Sequence, residues 1–206
     1  MRALLVMLTS AIPAYLLGGV NGAIITPRLF YRKDIRKFGS GNPGLTNFYR
    51  VFGKVGAPLV VAIDVFKAVA PVFFGGWVFN HYLEMRLFGQ AFSGFFVMLG
   101  HCFPIYYKFK GGKGVMSAGA IFIVLDWRLA IISWGTFILI TALTKYVSLG
   151  AMIGSALFPP ALILFGIGGV YEFIAVALCA VLLIVRHKAN IRRLILGEES
   201  KFSFRS

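Results

Sequence analysis

The chain has 206 residues, 59% of them hydrophobic, with a mean hydropathy of +0.84 and a formal net charge of +14. An ordinary globular domain is about 45–50% apolar. Here the excess lies in long runs with few charges, which excludes a soluble globular domain and marks an all-α integral membrane protein. In a soluble chain so much positive charge would suggest nucleic acid. These basic residues flank apolar runs, so lipid headgroups and phosphorylated small molecules are the expected partners, and nucleic acid is not.

Seven apolar segments read as transmembrane helices, over 3–25, 54–79, 87–105, 114–126, 128–144, 150–166 and 170–186. The first imitates a signal peptide, but it runs past Pro13 to Ile25 with no A-x-A site, so a retained span is expected. The fourth is the weakest. About a dozen apolar residues precede Asp126-Trp127-Arg128, whereas a crossing needs about 17–25, so this is a short span set in protein or a half-helix. Seven crossings divide the connections into two sets. Loop 26–53 with Lys54, loop 106–113, the Lys145 turn and the tail hold seventeen of the 21 Lys and Arg. The opposite set holds Arg2, Arg86 and Arg128, and Lys67 lies inside a span. The positive-inside rule then places the N-terminus outside and the C-terminus in the cytoplasm. A single polytopic domain over 1–206 is expected, with every polar, glycine-rich segment on the cytoplasmic face.

Four such segments follow in chain order. In "KFGSGNPGLTNFYR" (37–50), Gly39, Gly41 and Gly44 permit positive φ and close backbone approach. Successive turn amides there can bind an anion. Ser40, Asn42, Thr46 and Asn47 add hydroxyl and amide groups, and Arg50 offers a fork for phosphate. Alone, the stretch also fits a tight turn with a helix cap. The second segment, "GHCFPIYYKFKGGKGV" (100–115), carries His101, Lys108, Gly111, Gly112, Lys113 and Gly114 before an apolar run that contains Ser117. If that run is helical, its first amides favour an anion. It is not a nucleotide loop of the G-x-x-x-x-G-K-[ST] type, since Tyr107 stands at the first glycine position and Gly114 at the hydroxyl position. The third, "KYVSLG" (145–150), offers Lys145 and Ser148. The fourth, "RHKANIRRLILG" (186–197), places His187 and Asn190 on one helical face.

Inside the second span, Asp64 and Lys67 stand at i, i+3 and are read as a structural ion pair. Cys102 and Cys179 are read as small apolar residues, and His81 is given no role. No metal or coenzyme is expected. An H-x-x-x-x-D acyltransferase pair is absent, because the fifth residues after His81, His101 and His187 are Arg86, Tyr106 and Arg192.

The motifs "GSGNPGLTN", "GHCFPIYYKFKGGKGV", "KYVSLG" and "HKANIRRL" resemble, in order, those of the bacterial acyl-phosphate:glycerol-3-phosphate acyltransferases, the PlsY family. Departures are Leu45 for a usual alanine, Met116-Ser117 for alanine-threonine, Lys145 for arginine, Ala151 for serine, and Lys188-Ala189 for a charged pair. The resemblance implies a multi-pass protein of the bacterial cytoplasmic (inner) membrane. Its reaction would be transfer of a fatty acyl group from acyl phosphate to the 1-hydroxyl of glycerol 3-phosphate, giving lysophosphatidic acid and phosphate. A direct transfer without an acyl-enzyme is expected. Lys113, the Gly111–Gly114 amides and the first loop would hold acyl phosphate, while Arg50, Ser148, His187 and Asn190 orient glycerol 3-phosphate. The residues leave two bases open, His101 and a phosphate oxygen of the substrate. The lack of a carboxylate in the four motifs favours the latter. A transporter of organic phosphates is the rival reading. It would need polar groups near the midplane, whereas these cluster on one face.

Overall fold

The computed structural model of the chain describes residues 1–202; Arg205, counted above among the basic residues, lies outside them. Its helices are α1 (Arg2–Gly19), α2 (Gly22–Tyr31), α3 (Leu45–Phe52), α4 (Ala57–Leu83), α5 (Arg86–Cys102), α6 (Val115–Leu125), α7 (Trp127–Thr144), α8 (Val147–Ala156), α9 (Phe158–Leu164), α10 (Val170–Arg186) and α11 (Lys188–Ile195). Among the described residues, five segments are long and apolar enough to cross a membrane: Arg2–Tyr31, Ala57–Leu83, Arg86–Tyr107, Trp127–Thr144 and Val147–Leu164. Helices α10 and α11, bent by 56° at their junction, make a sixth when taken together.

Seven full-length spans are therefore not seen, and the shortfall lies at 114–126. Helix α6 has 11 residues, about 16 Å at 1.5 Å per residue, against about 30 Å of hydrocarbon. Asp126 ends it. Its backbone is extended, and its carboxylate accepts the Arg128 N–H (2.8 Å), so the same residue starts α7. Ser117 to Phe122 are all buried, so α6 is a short helix sheathed in protein by α4, α5 and α7.

Other boundaries moved for local reasons. The first span breaks after Gly19, because Asn21 Oδ1 accepts the Ile24 N–H (3.0 Å) and caps α2. Helix α2 then runs to Tyr31, into the expected loop 26–53. The sixth span breaks at Leu157, just before Pro159-Pro160; proline fits the first turn of a helix but not its interior.

Helices α1, α4 and α5 pack together, α10 lies on α5 and α8, and α7 lies on α8. Glycine allows the closest approach. A Cβ at Gly100 of α5 would collide with the Tyr15 carbonyl of α1. The buried cluster includes Val72, Met98, Ile121, Phe122, Phe158 and Leu183, with the Phe122 and Phe158 rings stacked. Phe66, Trp77, Leu139 and Leu143 are exposed, as lipid-facing side chains are.

The polar ends are tied down. Asp34 accepts hydrogen bonds from Arg28 (3.0 Å) and Arg36 (2.6 Å). The Arg36 guanidinium holds the Asp34 carboxyl well below the usual carboxylate range. Both guanidinium groups lie over the Tyr107 ring, joining the loop after α2 to the loop after α5.

Candidate active site

The four polar segments meet around one cavity of about 560 Å³. Ser40, Asn42, Thr46, Asn47 and Arg50 line it from the first loop and α3, His101 from α5, Lys113 and Gly114 from the glycine loop, Ser148 from α8, and His187 and Asn190 from the α10–α11 bend. Asp64, Arg193 and Glu199 also line it and were not expected there.

In the first loop, Asn47 is a fastener. It is 2% exposed, its Oδ1 accepts the Ser40 N–H (3.0 Å), and its Nδ2 donates to the Phe38 carbonyl (3.1 Å). Asn21 holds the far side by donating to the Pro43 carbonyl (3.2 Å). Gly41 has positive φ and shapes the turn but does not line the cavity.

The glycine loop is less open than its sequence suggests. The Gly112 N–H donates to the His101 carbonyl (3.1 Å). The Gly111 and Gly112 carbonyls accept from Arg186 at 3.0 and 3.1 Å. The expected anion nest over Gly111–Gly114 therefore narrows to its far end. There Gly114, at φ +86°, caps α6, and Val115 and Met116 line the cavity. Helix geometry leaves the first amides of α6 without intrahelical partners, which suits an anion.

Three further expected residues do not line the polar cavity. Lys108 and Lys145 are exposed, and Lys145 lines the apolar groove described below instead. Each follows the last turn of a helix, Lys108 after the short 3-10 turn Ile105–Tyr107 and Lys145 after α7. A cation is favoured there by the helix dipole alone. Ser117 is buried behind His101, with its hydroxyl 3.4 Å from Nδ1.

His101 is held by the ion pair inside the span. Lys67 Nζ lies 2.8 Å from Asp64 Oδ1 and 2.8 Å from His101 Nδ1, and Asp64 also accepts the Gly22 N–H (3.1 Å). An ammonium only donates, so Nδ1 accepts and the ring proton sits on Nε2. His187 has the opposite tautomer. Its Nδ1–H donates to the Leu183 carbonyl (2.8 Å), which leaves Nε2 as an acceptor.

On the opposite wall, Lys113 Nζ donates to Asn190 Oδ1 (2.5 Å), and Asn190 Nδ2 donates to Glu199 Oε1 (2.6 Å). The same oxygen accepts the Ser148 hydroxyl (2.6 Å), and Oε2 accepts Arg193 Nε (2.7 Å). Burial lowers the pKa of Lys113 to about 8, against a raising pull from Glu199. Burial raises Glu199, but hydrogen bonds from Ser148, Asn190 and Arg193 outweigh it and hold the group below its ordinary value. Glu199 escaped the sequence reading because it lies in a polar tail beside Glu198, with no motif spacing to single it out. The one available signal was an acidic pair within a run of cations.

An apolar groove of about 1290 Å³ runs between α4 and α7, lined by Val61, Ala62, Val65, Phe66, Phe137 and Ile138 among others. It shares Leu45, Thr46, Phe137, Val147 and Phe202 with the polar cavity, so the two adjoin. Among the described residues, no three His, Cys, Asp or Glu side chains converge as metal ligands would.

A cationic cavity beside an apolar groove suits an amphiphile with a phosphate at one end. The comparisons point the same way. The family model described as glycerol-3-phosphate acyltransferase matches residues 8–197. A glycerol-3-phosphate acyltransferase of Photobacterium profundum is 39% identical over 92% of this chain and 90% of its own. One of Thermoanaerobacter pseudethanolicus is 37% identical over 93% of each chain. A crystal structure of PlsY (YgiH), an integral membrane glycerol 3-phosphate acyltransferase in its glycerol 3-phosphate form, superposes with a TM-score of 0.86 at 30% identity, covering 96% of each chain. The lysophosphatidic acid form gives 0.84 at 29% identity, covering 96% of this chain and 95% of that one. The chain belongs to the glycerol-3-phosphate acyltransferase family.

Proposed function

We propose that the protein transfers a fatty acyl group from an acyl phosphate to the 1-hydroxyl of glycerol 3-phosphate, releasing lysophosphatidic acid and inorganic phosphate. The observation that carries this reading is the polar cavity lying against the groove between α4 and α7, with five lining residues in common. The groove takes the acyl chain, and the cavity takes two phosphorylated groups. Acyl phosphate is already activated, so the site has only to align the reactants and bind charge.

The Lys113 ammonium, the first amides of α6 and the side chains of Ser40, Asn42 and Thr46 face the acyl phosphate. Arg50, Ser148, His187 and Asn190 orient glycerol 3-phosphate. The glycerol oxygen forms its bond to the acyl carbon as the carbon–oxygen bond to phosphate breaks. The bonding pair leaves with phosphate. The hydroxyl proton goes to a phosphate oxygen of the substrate.

Three observations support the substrate as base. His101 Nδ1 is occupied by Lys67. Asp64 is paired with Lys67 and the Gly22 amide. Glu199 does bring a carboxylate into the cavity, contrary to the sequence expectation, but its three hydrogen bonds make it a weak base.

In this reading residues 1–206 form one polytopic domain of the bacterial inner membrane, N-terminus outside and C-terminus inside. The cavity faces the cytoplasm, and α6 makes the short fourth crossing. Purified protein in detergent, given palmitoyl phosphate and glycerol 3-phosphate, is expected to release phosphate and form lysophosphatidate. Turnover with a palmitoyl thioester but not with palmitoyl phosphate would overturn the choice of donor.

A further inference from the structure

Glu199 is the surprising group in the cavity. A carboxylate in a site for two phosphates is repulsive unless it has a task. It is 8% exposed and accepts hydrogen bonds from three residues on two elements, Ser148 of α8 and Asn190 and Arg193 of α11. The tail that carries it is tied back by the Phe202 N–H, which donates to the Lys145 carbonyl (2.8 Å).

The direction of these bonds has a chemical consequence. Ser148 has a single hydroxyl hydrogen, and it is spent on Glu199. Toward the cavity its oxygen can then only accept, which suits a hydroxyl and not a phosphate oxygen. Asn190 gives one N–H to Glu199, which turns its carbonyl oxygen to Lys113. That fixes the direction of the ammonium and leaves one amide hydrogen free.

We propose that Glu199 is a positioning residue, which stays seated during turnover and sets the hydrogen-bond polarity of this wall of the cavity: Ser148 accepts from a glycerol hydroxyl, Arg193 keeps its remaining donors for the phosphate of glycerol 3-phosphate, and Lys113 keeps its own for the acyl phosphate. The inference rests on the functional reading above. It differs from the view of Glu199 as a phosphate mimic that plugs the site and must leave.

The sign of one measurement separates these. In full-length protein, Glu199→Gln removes the charge and turns an amide N–H toward a donor. KM for glycerol 3-phosphate is expected to rise at least about tenfold, with a smaller change in kcat. A fall in KM would identify a plug and overturn the proposal, and so would no change.

The pH profile adds a readout that a general packing defect would not move. The charged and titratable groups around Lys113 are Arg50 of α3, Arg186 at the end of α10, His187 at the bend, Arg193 of α11 and Glu199 of the tail. Glu199 is the one that favours its ammonium. In Glu199→Gln the alkaline fall in kcat/KM therefore moves to lower pH. Glu199→Asp keeps the charge and restores the wild-type limb even where its shorter reach costs affinity. An unmoved limb in Glu199→Gln overturns the proposal.

Calorimetric titration of glycerol 3-phosphate into wild type and both variants needs no acyl donor. If wild type binds glycerol 3-phosphate but does not turn over palmitoyl phosphate, the choice of donor fails while the effect of Glu199 on affinity still decides the proposal. If wild type does not bind it, both readings fail.

Discussion

Lys113 and Lys67 are two buried lysines with opposite consequences. Lys113 titrates at about 8 because burial opposes its charge. Activity that needs its ammonium declines as pH rises through about 8, measurable as kcat/KM for palmitoyl phosphate. Stability moves the other way. Between about 8 and the ordinary 10.5, the unfolded chain keeps a proton that the native state has lost, so folding is favoured as pH rises through that window. An alkaline loss of rate without a loss of thermal midpoint is the expected pair of observations. Lys113→Met removes the charge at every pH and should lower kcat/KM by about 100-fold or more. At Lys67 the expected damage is to stability. Lys67→Met leaves the buried Asp64 carboxylate unpaired, at about 3–5 kcal/mol. The double variant Asp64→Asn/Lys67→Met should unfold at a higher temperature than Lys67→Met alone. What the sequence showed at this scale was chemistry without direction. Arg50, Lys113, His187 and Asn190 face the cavity as expected. Lys108 occupies a helix end instead, and Lys145 a helix end on the wall of the apolar groove, because a basic residue after a last turn has a reason to be there without any ligand. Glu199 had no spacing to betray it, since only tertiary packing brings the tail onto Ser148.

At the scale of elements, the glycine loop is a strap whose position depends on one missing side chain. A Cβ at Gly112 would collide with His101 Nε2 and the Pro43 carbonyl. Gly112→Ala should therefore shift Lys113 and the start of α6 together. A displacement of about 1 Å can cost about 100-fold in kcat, and the assay of phosphate release reads it against unchanged membrane insertion. The groove makes a different prediction. Val65→Trp should narrow the slot between α4 and α7 and raise KM for palmitoyl phosphate about tenfold, with a smaller effect on a shorter acyl phosphate. Helix α10 was legible to the residue, and α7 to within one, because apolar runs bounded by charge have no other stable form in lipid. The breaks within Arg2–Tyr31 and Val147–Leu164 were not, although Asn21 and Pro159-Pro160 mark them. A local cap or proline only bends a run that remains apolar on both sides of it.

For the molecule as a whole, the charge count makes a sidedness prediction. With the N-terminus outside, Lys201→Cys should react with a membrane-impermeant maleimide only from the cytoplasmic side, and Glu84→Cys, in the exposed turn between α4 and α5, only from the other. Cys102 and Cys179 are buried and give a low background. In the proposed orientation the groove walls lie in lipid and the cavity rim in water, which changes what concentration means for the two substrates. Glycerol 3-phosphate arrives in three dimensions, and its molarity governs its encounter rate. A donor whose tail slides in between α4 and α7 never leaves the sheet of lipid, so its encounter rate follows its mole fraction in that sheet. Adding inert detergent or lipid at constant bulk donor should slow the reaction by surface dilution and leave KM for glycerol 3-phosphate unmoved. Lysophosphatidate, formed in that reading with its chain already among the lipids, is expected to depart sideways into the bilayer.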